Sequence, residues 1–138
     1  MVWIKICGIT NEEDALKITS LGADALGFIL STESARRIEP GKAKEIILAT
    51  KDKFINVRDK MRPSFVGVFV NENISKVIEI AEKLGLDHIQ LSGDETPDYL
   101  KKIKKHNKNI KLIKLVRVKD NVSSFTRASI NIFLKSIK

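Results

Sequence analysis

The sequence predicts an α/β fold built on a parallel sheet, and three observations carry that prediction. Short β-prone apolar runs alternate five times with segments of helical period, and one more strand follows at 130–134. The run Ala25-Leu26-Gly27-Phe28-Ile29-Leu30 is almost continuously apolar, as expected of a strand covered on both faces. The junctions carry helix punctuation: Thr96-Pro97 marks a start, and Gly22 and Gly85 mark stops. Such repeats require right-handed crossovers and helices that cover the sheet. Two architectures satisfy them, a doubly wound open sheet and an eightfold barrel. No Gly-x-Gly-x-x-Gly follows the first strand, which argues against a dinucleotide fold.

The elements follow in order. Val2, Trp3, Ile4 and Ile6 form a β-prone run that ends at Cys7, the chain's one cysteine. Thr10 and Glu13 have the spacing of a capping box, so a helix is expected over 11–21, with Ala15 and Ile18 inward. Cys7 thus stands at the carboxyl end of a strand, the edge where α/β folds bind ligands. The strand at 25–30 leads to a polar loop with Arg36 and Arg37, and Pro40 opens a second helix on Ala43, Ile46, Ile47 and Thr50. The charged stretch 51–63 reads as a helix extension plus an exposed loop.

A third strand at 64–70 precedes a helix with apolar residues at Ile74, Val77, Ile78, Ala81 and Leu84, the strongest helical spacing in the chain. A fourth strand at 88–91, a loop at 92–95 and a helix to about residue 105 come next, then a fifth strand at 111–116. A short fifth helix at 120–128 and the sixth strand at 130–134 complete the expectation.

Size and composition bound the function. At 138 residues and 43% hydrophobic content the chain is expected to form a single domain with a real core. No apolar run reaches the length of a membrane span, and charges at Lys5, Glu12, Glu13 and Asp14 replace the apolar block of a signal peptide, so a cytoplasmic location is expected. One cysteine excludes an internal disulfide, and two histidines, His88 and His106, do not make a metal cluster. The net charge of +8 points to anionic partners. Lys101, Lys102, Lys104, Lys105, Lys108, Lys111 and Lys114 crowd one stretch, with no aromatic interleaved beyond Tyr99. That pattern fits a solvated face better than a nucleic-acid surface.

The blocks now assembled resemble the phosphoribosylanthranilate isomerase family. Lys5-Ile6-Cys7-Gly8-Ile9-Thr10 is similar to its opening signature, Gly22-Ala23-Asp24-Ala25-Leu26-Gly27-Phe28 to its second strand, and Ser34-Ala35-Arg36 to its Ser-Pro-Arg loop. Gly67-Val68-Phe69-Val70-Asn71 and Ile89-Gln90-Leu91-Ser92-Gly93-Asp94-Glu95 are similar to its third and fourth strand ends. The resemblance implies a TIM-type (β/α)8 barrel, here its N-terminal two thirds with about six parallel strands and five helices. It implies a cofactor-free, metal-free Amadori rearrangement of a small phosphorylated anthranilate substrate in tryptophan synthesis. It assigns Cys7 as general base and Arg36 as the ligand of the anthranilate carboxylate.

Physical chemistry agrees with those roles. A thiolate is the working base, and a thiol with pKa near ~8.5 works better beside a cation or a helix N-terminus. The planar guanidinium fork suits a carboxylate. The chain departs from the pattern at Ala35, at Ser92, where the family has histidine, and at Lys135, which stands at the position of the family's general-acid aspartate. A barrel is usually about 250 residues, and six strands would leave two edges for a second copy or a completing chain. Three accounts of the shortfall follow: a truncated chain, a frame error near its end, or completion by another polypeptide. The competing functions are a fragment that self-associates and, from the lysine cluster, a basic anion or nucleic-acid binder.

Overall fold

A computed structural model describes residues 2–31, 33–55 and 62–116. Five strands and four helices alternate: β1 (Lys5–Cys7), α1 (Glu12–Ser20), β2 (Ala25–Ser31), α2 (Pro40–Lys53), β3 (Ser64–Phe69), α3 (Ile74–Leu84), β4 (His88–Leu91), α4 (Pro97–His106) and β5 (Lys111–Lys114). All neighbours are parallel and the sheet order is sequential, β1 to β5. The expected fifth helix and sixth strand lie outside the described residues.

Local chemistry accounts for the helix boundaries. Pro40 and Pro97 occupy first-turn positions, where the missing N–H costs no hydrogen bond. Thr96 caps α4 by accepting from the Tyr99 amide at 3.3 Å. Gly85 ends α3 in the left-handed region at φ 61°, as its stop signal requires.

The start of α1 differs from expectation. Asn11, not Thr10, is the cap: its Oδ1 accepts from the Asp14 amide at 2.8 Å, and the helix begins at Glu12. Gly8 turns the chain at φ +85° and Ile9 is buried, which places Asn11 at the first extended position before the helix. In α3 the stripe is also shifted. Val77, Ile80, Ala81 and Leu84 are buried, while Ile78 is only partly so.

Leu26, Phe28 and Leu30 of β2, Phe65 and Phe69 of β3, and Ile89 and Leu91 of β4 share one core with the inward stripes of the helices. The alternate positions Ala25, Gly27, Ile29, Val66 and Val68 face the other way and are buried as well. The continuous apolar run at 25–30 is therefore a strand covered on both faces, as read. No described helix is long and apolar enough to cross a membrane.

The cap assignment makes a direct prediction. Asn11→Ala should lower unfolding free energy by about 1 kcal/mol in urea denaturation, whereas Thr10→Ala should leave it within about 0.5 kcal/mol. The reverse order would restore the Thr10–Glu13 capping box.

Candidate active site

The site begins where β1 ends. Cys7 lies in register with Gly27 of β2, whose missing side chain makes room: a Cβ there would stand 3.0 Å from Cys7 Sγ and 3.1 Å from Lys5 Nζ. The thiol and an ammonium group therefore share one face of the sheet. Beyond Cys7 the amides of Gly8 and Ile9 both donate to the Gly27 carbonyl, at 2.9 and 3.0 Å, so the loop folds back over β2.

Arg36 arrives from the loop after β2. That loop is held by the amide of Ile38 on the Ile29 carbonyl (2.9 Å) and by the amide of Arg37 on the Ser34 carbonyl (2.9 Å). Arg36 Nη1 donates to the Cys7 carbonyl at 2.7 Å, and the guanidinium lies over Gly8, where a Cβ would come within 2.5 Å of it. Glycine at 8 is thus needed twice, for its φ and for this approach. Arg37 turns the other way and pairs with Glu39 at 3.0 Å. Of the two neighbouring arginines, Arg36 is the one that faces the cysteine.

The same sheet edge holds a network that sequence reasoning missed. Glu95, almost fully buried, accepts from the Asn71 amide (2.9 Å), from the Gly93 amide (3.1 Å) and from Lys114 Nζ (2.7 Å). Lys114 also donates to the Gly93 carbonyl. Burial alone would raise the Glu95 pKa, but the Lys114 ammonium and the Asn71 amide outweigh it and hold the carboxyl below its ordinary value. Tyr99, whose hydroxyl donates to the Glu72 carbonyl at 2.8 Å, is pushed up to about 12 by burial and by the Glu95 and Glu72 carboxylates. Lys114 was counted with the lysine cluster. It is instead a β5 residue with a largely buried side chain, 13% exposed.

The rest of that cluster is a solvated face, as read. Lys101, Lys102 and Lys105 are exposed on α4, and Lys104 donates to the Lys108 and Ile110 carbonyls at 2.9 and 2.8 Å. His106 pairs with Glu82 on α3 at 2.8 Å. His88 is buried near the start of β4 against the Trp3 ring, centroids 5.5 Å apart, and burial with Lys111 nearby lowers its pKa. Among the described residues no three His, Cys, Asp or Glu side chains gather as metal ligands. Ser92, at the histidine position of the resemblance, accepts from Gln90 Nε2 at 3.1 Å. Lys135 lies outside the described residues.

Comparison with known proteins extends this geometry. Residues 4–134 match the family model described as N-(5'phosphoribosyl)anthranilate (PRA) isomerase. A protein of that name from Thermotoga neapolitana is 42% identical over 123 residues, which is 87% of this chain and 53% of the relative. Another from Bacillus cereus is 40% identical over 119 residues, 86% of this chain and 51% of the relative. The chain therefore spans about half the length of the curated relatives it matches. Among solved structures, a phosphoribosyl anthranilate isomerase in complex with reduced 1-(o-carboxyphenylamino)-1-deoxyribulose 5-phosphate superposes with TM-score 0.79 at 34% identity, covering 98% of this chain and 62% of that one. The Thermotoga maritima enzyme gives 0.78 at 34% identity, covering 98% and 58%.

Two largely buried groups, His88 and Glu95, contribute to the acid response. His88 has a lowered pKa, so it contributes stability above its ordinary value of about 6.5 and loses that contribution as pH falls from there through the lower folded value. Glu95, also lowered, contributes above its unfolded value and loses that contribution as pH falls through the lower folded one. Unfolding free energy should therefore decline in two stages on acidification. His88→Phe should flatten the upper stage alone, read by urea denaturation between about pH 7 and 3.

Proposed function

The chain belongs to the N-(5'-phosphoribosyl)anthranilate isomerase family, and we propose that it serves the cofactor-free Amadori rearrangement of N-(5-phosphoribosyl)anthranilate to the aminoketose. Cys7 is the general base and Arg36 binds the anthranilate carboxylate. One observation carries this reading: residues 29 positions apart meet where Arg36 Nη1 bonds the Cys7 carbonyl at the carboxyl end of the sheet.

The rearrangement asks for three things. An acid protonates the ribose ring oxygen so that the ring opens to a Schiff base, a base removes the C2 proton, and anchors hold the substrate's anions. Cys7 can take the C2 proton because its side chain stands at the carboxyl end of its strand on the same face as the Lys5 ammonium, while Arg36 bonds its backbone carbonyl. Arg36 spends one N–H on the Cys7 carbonyl, and its exposed fork has further donors for a carboxylate. The substrate's carboxylate and phosphate also suit a chain of net charge +8. The resemblance puts the ring-opening acid at position 135, where this chain carries Lys135. On this reading the substrate is a small phosphorylated metabolite and the protein is cytoplasmic.

The test is loss of anthranilate fluorescence on rearrangement. Cys7→Ala should lower kcat by roughly 10²–10⁴ with little change in KM. Arg36→Met should raise KM roughly tenfold or more, the worth of a hydrogen bond to a charged group. A wild-type rate no higher than that of Cys7→Ala overturns the assignment.

The edge of the sheet favours a second reading, in which the chain self-associates through β1. β1 has β2 on one side only among the described residues, and Trp3, Ile4, Ile6 and Leu21 beside it are exposed. The occupant proposed is a second copy of this chain that pairs along the open side of β1 and covers this apolar patch. Sedimentation should then show association rather than a monomer. A folded monomer that binds no apolar dye would overturn this second reading.

A further inference from the structure

Among the described residues, ion pairs form mostly at the surface. Among the described residues, the ion pairs other than Glu95–Lys114 each have a member with roughly half or more of its side chain exposed, where pairing contributes little. Glu95 and Lys114 are different, with side chains 1% and 13% exposed. Burying two charges costs most of what their attraction returns, so such a pair is weak evidence for stability and is better explained by a geometry it imposes.

That geometry joins three strand ends at the edge that carries Cys7. Glu95 sits in the loop after β4, its Oε1 accepts from the Asn71 amide in the loop after β3, and its Oε2 accepts from Lys114 at the end of β5. The tie is reciprocal. Asn71, in the left-handed region at φ 49°, accepts at its Oδ1 from the Asp94 amide at 2.7 Å. Gly93 has no room for a side chain, because a Cβ there would collide with the Asn71 side chain. Lys114 closes the assembly on the Gly93 carbonyl, with a longer contact to the Leu91 carbonyl at 3.5 Å.

We propose that Glu95 and Lys114 are positioning residues of the active site, a buried clamp that sets the two loops after β3 and β4 in one register and so fixes the wall of the site opposite Cys7 and Arg36. The proposal rests on the isomerase reading for its effect on catalysis, and on the network itself for the clamp. Loss of the clamp leaves the thiol and the arginine in place but lets the loop amides of Asn71, Gly93 and Asp94 move, so bound substrate spends less time in the reactive alignment.

The test compares wild type with Glu95→Gln/Lys114→Gln, which removes both charges and strands neither. Glu95→Gln alone is the second variant, since its amide oxygen can still accept from Asn71. The first readout is hydrogen exchange at the Asn71 and Gly93 amides of the full chain. Exchange should quicken by roughly tenfold or more in the double variant, while core amides such as Phe65 keep their protection. The second readout is fluorescence-monitored turnover, where kcat should fall roughly tenfold with KM within about threefold. Unchanged exchange at Asn71 and Gly93 overturns the clamp. Faster exchange with kcat within about twofold of wild type overturns its catalytic role. If wild type itself shows no turnover, the isomerase reading fails, and exchange alone then decides the clamp.

Discussion

The carbonyl oxygen of Gly27 is the point from which the candidate site is built. It accepts from two successive amides, Gly8 and Ile9, and that pair of hydrogen bonds turns the chain immediately after Cys7. The turn needs φ +85° at Gly8, and it needs the bare backbone of Gly8 so that the Arg36 guanidinium can lie across it. It also seats Ile9 in the core, which sets where α1 can begin. The geometry of the candidate site and that of the helix are thus coupled through one acceptor on a neighbouring strand. A side chain at position 8 would disturb both at once.

Two kinds of charge meet at this edge and serve different ends. Arg36 is exposed and bonded to a backbone carbonyl, an arrangement that holds its direction while leaving donors open to a ligand. Lys114 is largely buried and has its partners within the protein: Glu95 and the carbonyls of Gly93 and Leu91. The first suits recognition and the second suits fixation. Tyr99 adds to the fixed part, since a hydroxyl kept protonated to about pH 12 remains a donor to the Glu72 carbonyl across the working range.

Which of these features sequence could show follows from how far each is encoded locally. Strand and helix positions came from periodicity, Pro40, Pro97 and Gly85, all of which act within a few residues of themselves. Cys7 and Arg36 were legible because each stands in a short block that resembles a known signature, although their meeting is a long-range contact. The α1 cap was misread because Thr10 and Asn11 are both good caps, and the choice between them is made by the Gly27 carbonyl on another strand. Lys114 was hidden for a like reason. Seven lysines in one stretch look alike in sequence, and only the approach of Glu95 from the β4 loop singles one out. Glu95 itself has no periodic signal, being a loop acid before a helix cap.

Periodicity alone left both an open sheet and a barrel available, and strand order decides between them. In a doubly wound sheet the order reverses at a switch point, so right-handed crossovers place helices on both faces. Here the order is sequential from β1 to β5, and right-handed crossovers taken always in one direction place every helix on the same face. The contacts agree, since α1 meets α2, α2 meets α3 and α3 meets α4 in a row. The opposite face, with Ala25, Gly27, Ile29, Val66 and Val68, is nevertheless buried. A sheet with helices on one side can bury its other side by curling upon itself, which is the geometry of the barrel structures it superposes on. Curling brings the inner residues of non-adjacent strands together, and the Trp3 ring beside β1 meets the His88 ring of β4 in this way. It also crowds the inner face, so Gly27 is the residue that lets Lys5 and Cys7 lie there side by side. The lone thiol is therefore placed by the curvature of the sheet as much as by its own strand.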